Sequence, residues 1–421
     1  MAATSSAIYQ LATAPAGKGV VTSTSFSQVP VVGTIGFGNT VVVEVPTDAG
    51  DVLTGLALQL DMPELVPKSS NHVVEYADLH ERLINNVTVY FGGNKMYSLD
   101  RDTIGFLNKL DIWDADPRNN YYRNQGSYQG SLEFISLNQL IPSKVPLVAI
   151  QHTNLRVEIE FSTLDQVFIV GDTETGELVT PCVSLLELTA PMSGYSVALY
   201  DFLDTDTRKK IATSPHQLSF NAFTSFNESV GDAVVSSESA STNPTSCGGG
   251  IDFTQARGFM TDLYFTVYSE YSDSFNLPHK MSMMQYPGPY TFRSDSTMTF
   301  NVPGAVALTE DVNGRYVNDV EVHLDGKVRV PKVPGHLILS VLHSNYGKPA
   351  SFENQFYNLS FGNPGYNMTS CDNARLTIST YPVVNSQLRS SSLNVKIMAS
   401  YSVEMKVSNG MVGVSNFTGS E

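Results

Sequence analysis

The sequence predicts an all-β protein with two tandem domains, on the basis of its length, its composition and its alternating apolar segments. At 421 residues the chain is long enough for two or three domains with real cores. Gly, Pro, Tyr and Phe are abundant (31, 21, 20 and 21 residues), which is typical of sheets joined by many turns. Two halves, each with about eight short strands, favour two tandem eight-stranded antiparallel jelly rolls with a few short helices over one large barrel.

The charge of the chain argues against nucleic-acid binding. There are 25 basic and 41 acidic residues, so the formal net charge is −16. Lys18 is the one basic residue between Met1 and Pro67, so no basic arm could neutralise phosphates. Only 16% of residues are charged, against about 25% in typical soluble domains. Much of the surface is therefore neutral or buried against another surface, and we expect no direct contact with nucleic acid.

The cysteines and the N-terminus give no sign of an oxidised or membrane-inserted protein. Cys182, Cys247 and Cys371 are far apart and odd in number, which argues against a zinc site or a disulfide framework and favours a reducing compartment. The first ten residues lack the charged and apolar regions of a secretory signal. No run approaches the roughly 18 apolar residues of a membrane span.

The first half divides into an arm and a β domain. Residues 1–35 are rich in Ala, Ser, Thr and Gly with little periodicity, and are predicted to be an extended arm. The first jelly roll is assigned to residues 36–198, where segments such as 155–161 alternate apolar and charged residues with period two. Residues 72–85 carry apolar residues at helical spacing and predict a short amphipathic helix.

The second half repeats this pattern after a short connection. Residues 199–212, which end in a basic cluster, are predicted to be an inter-domain linker, and residues 213–421 the second jelly roll. Asp325-Gly326 lies between alternating segments and predicts a hairpin with a type I′ turn. The segment 337–341 predicts the next strand. Leu393 to Val407 alternates strictly and predicts a long strand inside a sheet, because so long an exposed edge would aggregate.

Two long polar segments are predicted to be surface loops. Residues 113–131 are rich in Asn, Tyr, Gly and Asp, and residues 231–250 in Ser, Thr and Gly. Loops of a jelly roll gather at the ends of the sandwich, so we expect both to lie on the crown of the subunit, with 231–250 the more mobile.

Three motifs share features with known kinds of site, and none is predicted to be one. Gly33, Gly36 and Gly38 superficially resemble a phosphate-binding loop, but a strand follows them, and no helix N-terminus is there to hold a phosphate. His72 and His80 have no carboxylate or cysteine at ligand spacing.

The third motif is a group of aspartates, Asp111, Asp114 and Asp116. It lacks the glycine that an EF-hand requires, so a solvated loop is the default and adventitious calcium a minor alternative. The sequence therefore predicts no catalytic, cofactor-binding or metal-binding residues, no cofactor and no enzymatic activity.

Segments in a fixed order resemble the major capsid proteins of large icosahedral eukaryotic DNA viruses. They include a strand and Gly/Asn turn at Asn85 to Asp100, a loop and strand at Leu137 to Phe161 and a connection at Tyr200 to His216. The C-terminal part is similar at Tyr357 to Ile378, with Asn363-Pro364 and Asp372-Asn373-Ala374, and at Ser408 to Val414, which reads SNGMVGV.

The resemblance implies a function as well as a fold. It implies a major capsid protein with two tandem jelly rolls, which assembles as homotrimeric pseudo-hexagonal capsomers into the icosahedral shell of a double-stranded DNA virus. The implied partners are the chain itself, neighbouring capsomers, minor capsid and penton proteins and, indirectly, an internal membrane. The implied location is the capsid shell of the virion, assembled in the host cytoplasm.

Two other function classes remain open on sequence alone. A carbohydrate-binding β-sandwich, or a minor capsid or spike protein, would expose aromatic residues near a loop cluster, and Tyr121, Tyr122 and Tyr128 could serve. A β-sandwich hydrolase would require a pair of carboxylates, and no such pair stands out in the sequence.

Overall fold

The computed structural model describes most of both halves of the chain. The described residues are 21–104, 132–137, 144–150, 152–232, 250–253, 258–269, 274–277, 289–292, 294–303, 317–335, 337–338, 356–362, 365–380, 392–408 and 410–415. The predicted loop at 113–131 and nearly all of that at 231–250 lie outside these residues, as do Asp111, Asp114 and Asp116.

Besides a helical segment at residues 101–104, the first half has fourteen strands and one short helix with both ends among the described residues. They are β1 (Val21–Val29), β2 (Val31–Val32), β3 (Thr40–Val45), β4 (Val52–Asp61), β5 (Leu65–Pro67), β6 (His72–Tyr76), α1 (Leu79–Arg82), β7 (Ile84–Phe91), β8 (Asn94–Asp100), β9 (Leu132–Ser136), β10 (Leu155–Phe161), β11 (Phe168–Asp172), β12 (Glu177–Val179), β13 (Leu186–Leu188) and β14 (Ser193–Leu203).

The second half follows with one helix and twelve strands in the described part of the chain. They are α2 (Thr205–Thr213), β15 (His216–Asp232), β16 (Gly250–Asp252), β17 (Phe259–Ser269), β18 (Tyr290–Thr291), β19 (Thr299–Phe300), β20 (Val317–Leu324), β21 (Lys327–Pro334), β22 (Phe356–Ser360), β23 (Tyr366–Asn367), β24 (Ala374–Thr380), β25 (Ser392–Ser408) and β26 (Met411–Ser415).

The two halves share one strand order. The first has a sheet ordered β1-β14-β4-β9 and a second ordered β3-β10-β7-β8, which β2 extends beyond β3. The second half has β15-β25-β17-β22 and β16-β24-β20-β21. If the eight main strands of each half are counted along the chain, both halves read 1-8-3-6 and 2-7-4-5. Two antiparallel four-stranded sheets in this order form a jelly roll, so the predicted fold of two tandem jelly rolls is confirmed.

The cores of the two domains meet along the outer face of one sheet. On β25 the odd residues Val395, Ile397 and Ala399 point into the second core. On its other face, Met398 belongs to the core of the first domain together with Phe223 of β15 and Tyr264 of β17. A sheet that buries side chains on both faces cannot move as a separate body, because sliding would break close packing on two sides.

The N-terminal arm is shorter than the sequence predicted. Val21–Val29 pairs along β14, and Val31–Val32 pairs with β3, so residues 21–32 belong to the sheets of the first domain and the prediction is wrong for them. Side chains on both faces of β1 are exposed, so its sequence has no need of an alternating pattern. Residues 1–20 lie outside the described part of the chain.

The helix predicted at 72–85 is largely a strand. His72–Tyr76 forms β6, whose residues pair with β11, and the helix is limited to Leu79–Arg82. The β-branched Val73 and Val74 suit an extended backbone, and pairing with β11 overrides the weak helical spacing.

The predicted linker at 199–212 is regular structure. Leu199 to Leu203 completes β14, and α2 begins directly afterwards. The Asp204 side chain caps this helix, because its Oδ1 accepts hydrogen bonds from the amides of Asp206 (3.1 Å) and Thr207 (2.9 Å). These bonds to the carboxylate lower the pKa of Asp204, so the cap stays ionised well below neutral pH.

The long strand and the hairpin of the second half are confirmed. β25 extends over 17 residues and lies between β15 and β17. Asp325 and Gly326 both have positive φ, 52° and 69°, and connect β20 to β21 as a type I′ turn requires. Of the strand predicted at 337–341, the structure describes Leu337 and Ile338. These two residues lie in a helical turn, so the prediction is wrong for them.

Candidate functional site

The glycine motif near the N-terminus forms a structural turn, as the sequence predicted. Gly33 and Gly38 have φ of 106° and 73°, values that favour glycine, and β3 follows at Thr40. A Cβ on Gly33 would lie 2.9 Å from the carbonyl oxygen of Thr40, so the position also requires a residue without a side chain.

The histidines singled out in the sequence lie apart. His72 pairs with Asp172 across β6 and β11, whereas His80 belongs to α1, and its side chain lies outside the described atoms. Within the described ranges, no group of three His, Cys, Asp or Glu side chains could hold a metal ion. In the same ranges, none of the helices combines the length and the apolar character that crossing a bilayer requires.

Among the described residues, a cluster of charged side chains lies where the two domains meet. Lys396, on β25 of the second domain, has a side chain that is only 2% exposed. Its Nζ contacts the carboxylate of Asp100 at the end of β8, and lies 3.1 Å from Oδ2 of Asp102. The Ser225 hydroxyl also donates to Asp100 Oδ2 at 3.2 Å. This cluster fixes the outer face of the second domain's sheet against an edge strand of the first.

A second polar contact ties the β18–β19 hairpin to the first domain. Glu75 on β6 is 4% exposed. Its Oε1 accepts the hydroxyl of Tyr290 at 2.7 Å, and its Oε2 accepts the amide and the hydroxyl of Ser294 at 3.1 and 3.2 Å. Three hydrogen bonds satisfy this buried carboxyl group, so they select one position for the hairpin.

A third contact uses a buried arginine. Arg82, at the end of α1, is 1% exposed and donates to the carbonyl oxygen of Leu277 at 2.7 Å. The neighbouring Asn276 has a φ of 56°. Its side-chain amide donates to the carbonyl oxygens of Asp165 (2.6 Å) and Phe168 (2.9 Å) and holds residues 274–277 in place. Residues 274–277 of the second half are therefore built into the surface of the first domain.

Apolar packing accompanies these bonds in a third core. Phe275, Leu277 and Phe300 from the second half pack on Ile169 and Leu178 of the β6–β11–β12 sheet. A Cβ on Gly171 would lie 2.7 Å from the ring of Phe300, so the ring lies directly on that glycine. The two domains are thus joined by one shared core, one additional core and three polar clusters.

Sequence reasoning missed all of these junction residues. Lys396, Glu75 and Arg82 look like ordinary solvent-facing charges on strands and helices. In β25, Met398 is the one apolar residue on a face that is otherwise polar, so the sequence pattern gave no clear signal of burial there.

Two exposed strands have no domain packed on them in the described part of the structure. β1 is exposed from Val21 to Gln28, and Phe26 is 74% exposed. β21 is exposed along most of its length, with Val328 51% exposed. Arg329 of β21 stacks on the ring of Tyr366 at 5.0 Å, and the Tyr366 hydroxyl donates to Asp325, which lowers the pKa of that carboxyl.

Comparison with known families shows which proteins the first domain resembles. Residues 20–187 match the model for the N-terminus of the major capsid protein. Over these residues the chain is similar to major capsid proteins. The match ends within the first jelly roll, and the resemblance found in the sequence motifs is confirmed. This is a family of structural proteins and not a class of enzymes.

Solved capsid proteins share the fold of this chain over nearly its whole length. A crystal structure of PBCV-1 VP54, fitted into a reconstruction of the virophage Sputnik, has 16% identity and a TM-score of 0.67, and the match covers 96% of this chain and 99% of that one. The Faustovirus major capsid protein has 9% identity and a TM-score of 0.54, with 94% and 92% covered. The mavirus major capsid protein has 9% identity and a TM-score of 0.53, with 96% and 92% covered. No curated protein sequence matches the chain.

Proposed function

We propose that three copies of this chain assemble as a pseudo-hexagonal capsomer, and that such capsomers tile the icosahedral shell of a double-stranded DNA virus. The observation that carries the proposal is the repeated jelly roll. Each chain holds two domains of one strand order in a fixed relation, so a ring of three chains presents six similar units. Six units give a nearly hexagonal outline, which suits close packing in a shell.

The inter-domain contacts support a shell protein in particular. A capsomer has to resist shear between its domains, and here charged, polar and apolar contacts all cross the junction. The similarity to major capsid proteins supports the major capsid role over the carbohydrate-binding or spike alternatives. The work of such a protein is done by its side surfaces, so we propose that it catalyses no reaction and uses no cofactor.

The remaining partners follow from that role. A shell requires proteins at its five-fold vertices and proteins that join capsomers, so penton and minor capsid proteins are the proposed partners. An internal membrane would lie beneath the shell as an indirect partner, and this chain would make no direct contact with packaged DNA. Assembly in the host cytoplasm is part of the same proposal.

The purified chain is expected to be a stable homotrimer. A chain with 16% charged residues has extensive neutral surface, and obligate interfaces commonly exceed about 2,000 Å². Light scattering coupled to size exclusion should give three times the 45.8 kDa of one chain, and negative-stain images should show hexagonal outlines. Folded protein that stays monomeric across micromolar concentrations would contradict the proposal.

The same protein is expected to have negligible affinity for double-stranded DNA at physiological salt. The net charge of −16 repels the phosphate backbone, and few clustered basic residues are available to release counterions. Filter binding at low micromolar protein should show no retained DNA above the level of a charge-matched acidic control protein. Retention that persists at physiological salt would overturn this expectation.

A further inference from the structure

The edge strand β1 offers free backbone groups to a further strand. It pairs with β14 on one side, and among the described residues no strand pairs with its other side. In an antiparallel pair, alternate residues direct their amide and carbonyl groups to the partner, so the other residues of Val21–Val29 direct theirs away from the sheet. An edge of nine residues is long enough to be a template for another strand.

The sequence of β1 lacks the features that protect a free edge. Lysine and proline on an edge strand hinder the addition of another strand. β21, which is also an edge strand, carries Lys327, Pro331, Lys332 and Pro334. β1 reads VTSTSFSQV, without a charged residue or a proline. The contrast indicates that another strand covers the edge of β1, whereas the sequence of β21 protects its own edge.

The two faces of β1 specify which side chains an added strand should carry. On one face, Phe26 is 74% exposed and lies beside the half-buried Leu199 of β14. The opposite face carries three small exposed side chains, those of Ser23, Ser25 and Ser27. Because paired residues contact each other across a sheet, the added strand should have large apolar side chains on the Phe26 face and small or polar ones on the other.

The residues that precede β1 in the chain have this pattern. Residues 9–14 read YQLATA, in which Tyr9 and Leu11 alternate with Gln10 and Ala12. The segment contains no charged residue, so none would lose water beside Phe26. Only residues 15–20 separate it from β1, so its pairing with β1 requires the closure of a short loop.

The connection between this segment and β1 is suited to a hairpin turn. A two-residue turn of type II′ has glycine at its first central position, and glycine is favoured at the second in type I′. Gly17-Lys18 meets the first requirement and Lys18-Gly19 the second. The first turn would place Tyr9 opposite Phe26, and the second would place Leu11 there. Either turn leaves both side chains on the Phe26 face, because the two registers differ by two residues.

We propose that residues 9–14 form an antiparallel strand on the free edge of β1 in the same chain, with Tyr9 and Leu11 against Phe26. This inference goes beyond the proposed capsid function and does not depend on it. An occupied edge has no unpaired groups to offer the same edge of another copy, so copies would not join through β1. Pro15, beside the new edge, removes one backbone donor from it and hinders the addition of a further strand.

Cross-linking within the chain tests the position of the segment. In a Cys182→Ser, Cys247→Ser background, Leu11→Cys and Thr24→Cys are combined and treated with a short bismaleimide. Thr24 shares the face of Phe26 and lies opposite or diagonal to Leu11 in the two registers, so we expect peptide mass spectrometry to show a link within one chain. Val66→Cys, at a 41% exposed position beyond the far end of β4, replaces Thr24→Cys as the matched control and should give no link.

Two results of this experiment would overturn the proposal. One is a yield of the link between positions 11 and 24 that is no higher than that of the control. The other is covalent dimers when chains with Leu11→Cys are mixed with chains with Thr24→Cys, because the segment would then occupy the edge of a second copy.

Hydrogen exchange resolved to single amides gives an independent readout. In the wild type, the amides of residues 21–28 should all be protected, including those that point away from β14. Tyr9→Asp with Leu11→Asp should accelerate exchange at those outward amides by about tenfold or more, because charges would be placed against Phe26. Gln10→Asp with Ala12→Asp, on the exposed serine face, is the matched control and should have a much smaller effect. If every second amide of β1 in the wild type exchanged as fast as in an unstructured peptide, the edge would be free and the proposal wrong.

Discussion

Replacing both Asp100 and Asp102 with asparagine is expected to lower the free energy of unfolding by about 3–5 kcal/mol. The reason is the environment of Lys396, whose side chain is 2% exposed, so its ammonium group would remain in the junction without a counter-charge. Urea unfolding followed by circular dichroism, at one fixed chain concentration, measures the change. The two domains of the wild type should unfold in a single transition, whereas those of the variant should unfold in two separate transitions.

The reciprocal variant should be milder. Lys396→Met keeps the length of the side chain, and the two carboxylates that it leaves are 38% and 27% exposed, so water can solvate them. Combining Lys396→Met with the two asparagines should recover most of the stability, because no unpaired charge remains. Lys332→Met is the exposed control: its 68% exposed side chain pairs with Asp319, and its loss should cost at most about 1 kcal/mol. If all of these variants lost the same free energy of unfolding, the role assigned to the burial of Lys396 would be contradicted.

Phe300→Ala is expected to cost about 3–5 kcal/mol and to release the β18–β19 hairpin from the first domain. The ring is 4% exposed, lies 5.0 Å from the ring of Phe292 and covers Gly171. Removing it leaves a cavity in the third core and weakens the neighbouring bond from Tyr290 to Glu75. Hydrogen exchange should show that the substitution accelerates exchange at the amides of residues 299 and 300 more than at those of β25. Urea unfolding should show the loss of unfolding free energy.

A glycine pair provides the matched test of this contact. Gly171→Ala would place a Cβ 2.7 Å from the Phe300 ring and should cost about 1–3 kcal/mol, whereas a Cβ on Gly93 would meet nothing within 4 Å and Gly93→Ala should be close to neutral. In the Phe300→Ala background, Gly171→Ala should cost much less, because the two changes share one contact. If the free-energy costs of Gly171→Ala and Phe300→Ala were additive, the Phe300 ring would not be in contact with Gly171.

Much of the fold could be predicted from local sequence patterns. Strict alternation from Leu393 to Val407 identified β25, and Asp325-Gly326 identified the β20–β21 hairpin, because both signals depend on neighbouring residues alone. Prediction failed where pairing partners decided the outcome. His72–Tyr76 has helical spacing but pairs with β11, and Val21–Val29 has little periodicity because neither of its faces is buried.

The sequence by itself determined the class of the protein: an acidic, two-domain β protein with capsid-family motifs and no marked site for chemistry. The tertiary structure alone decided which charged residues are buried. Lys396 and Asp100 are separated by nearly three hundred residues, and their contact depends on how two complete sheets pack. Local patterns report which face of a strand is apolar, but not which surface covers it.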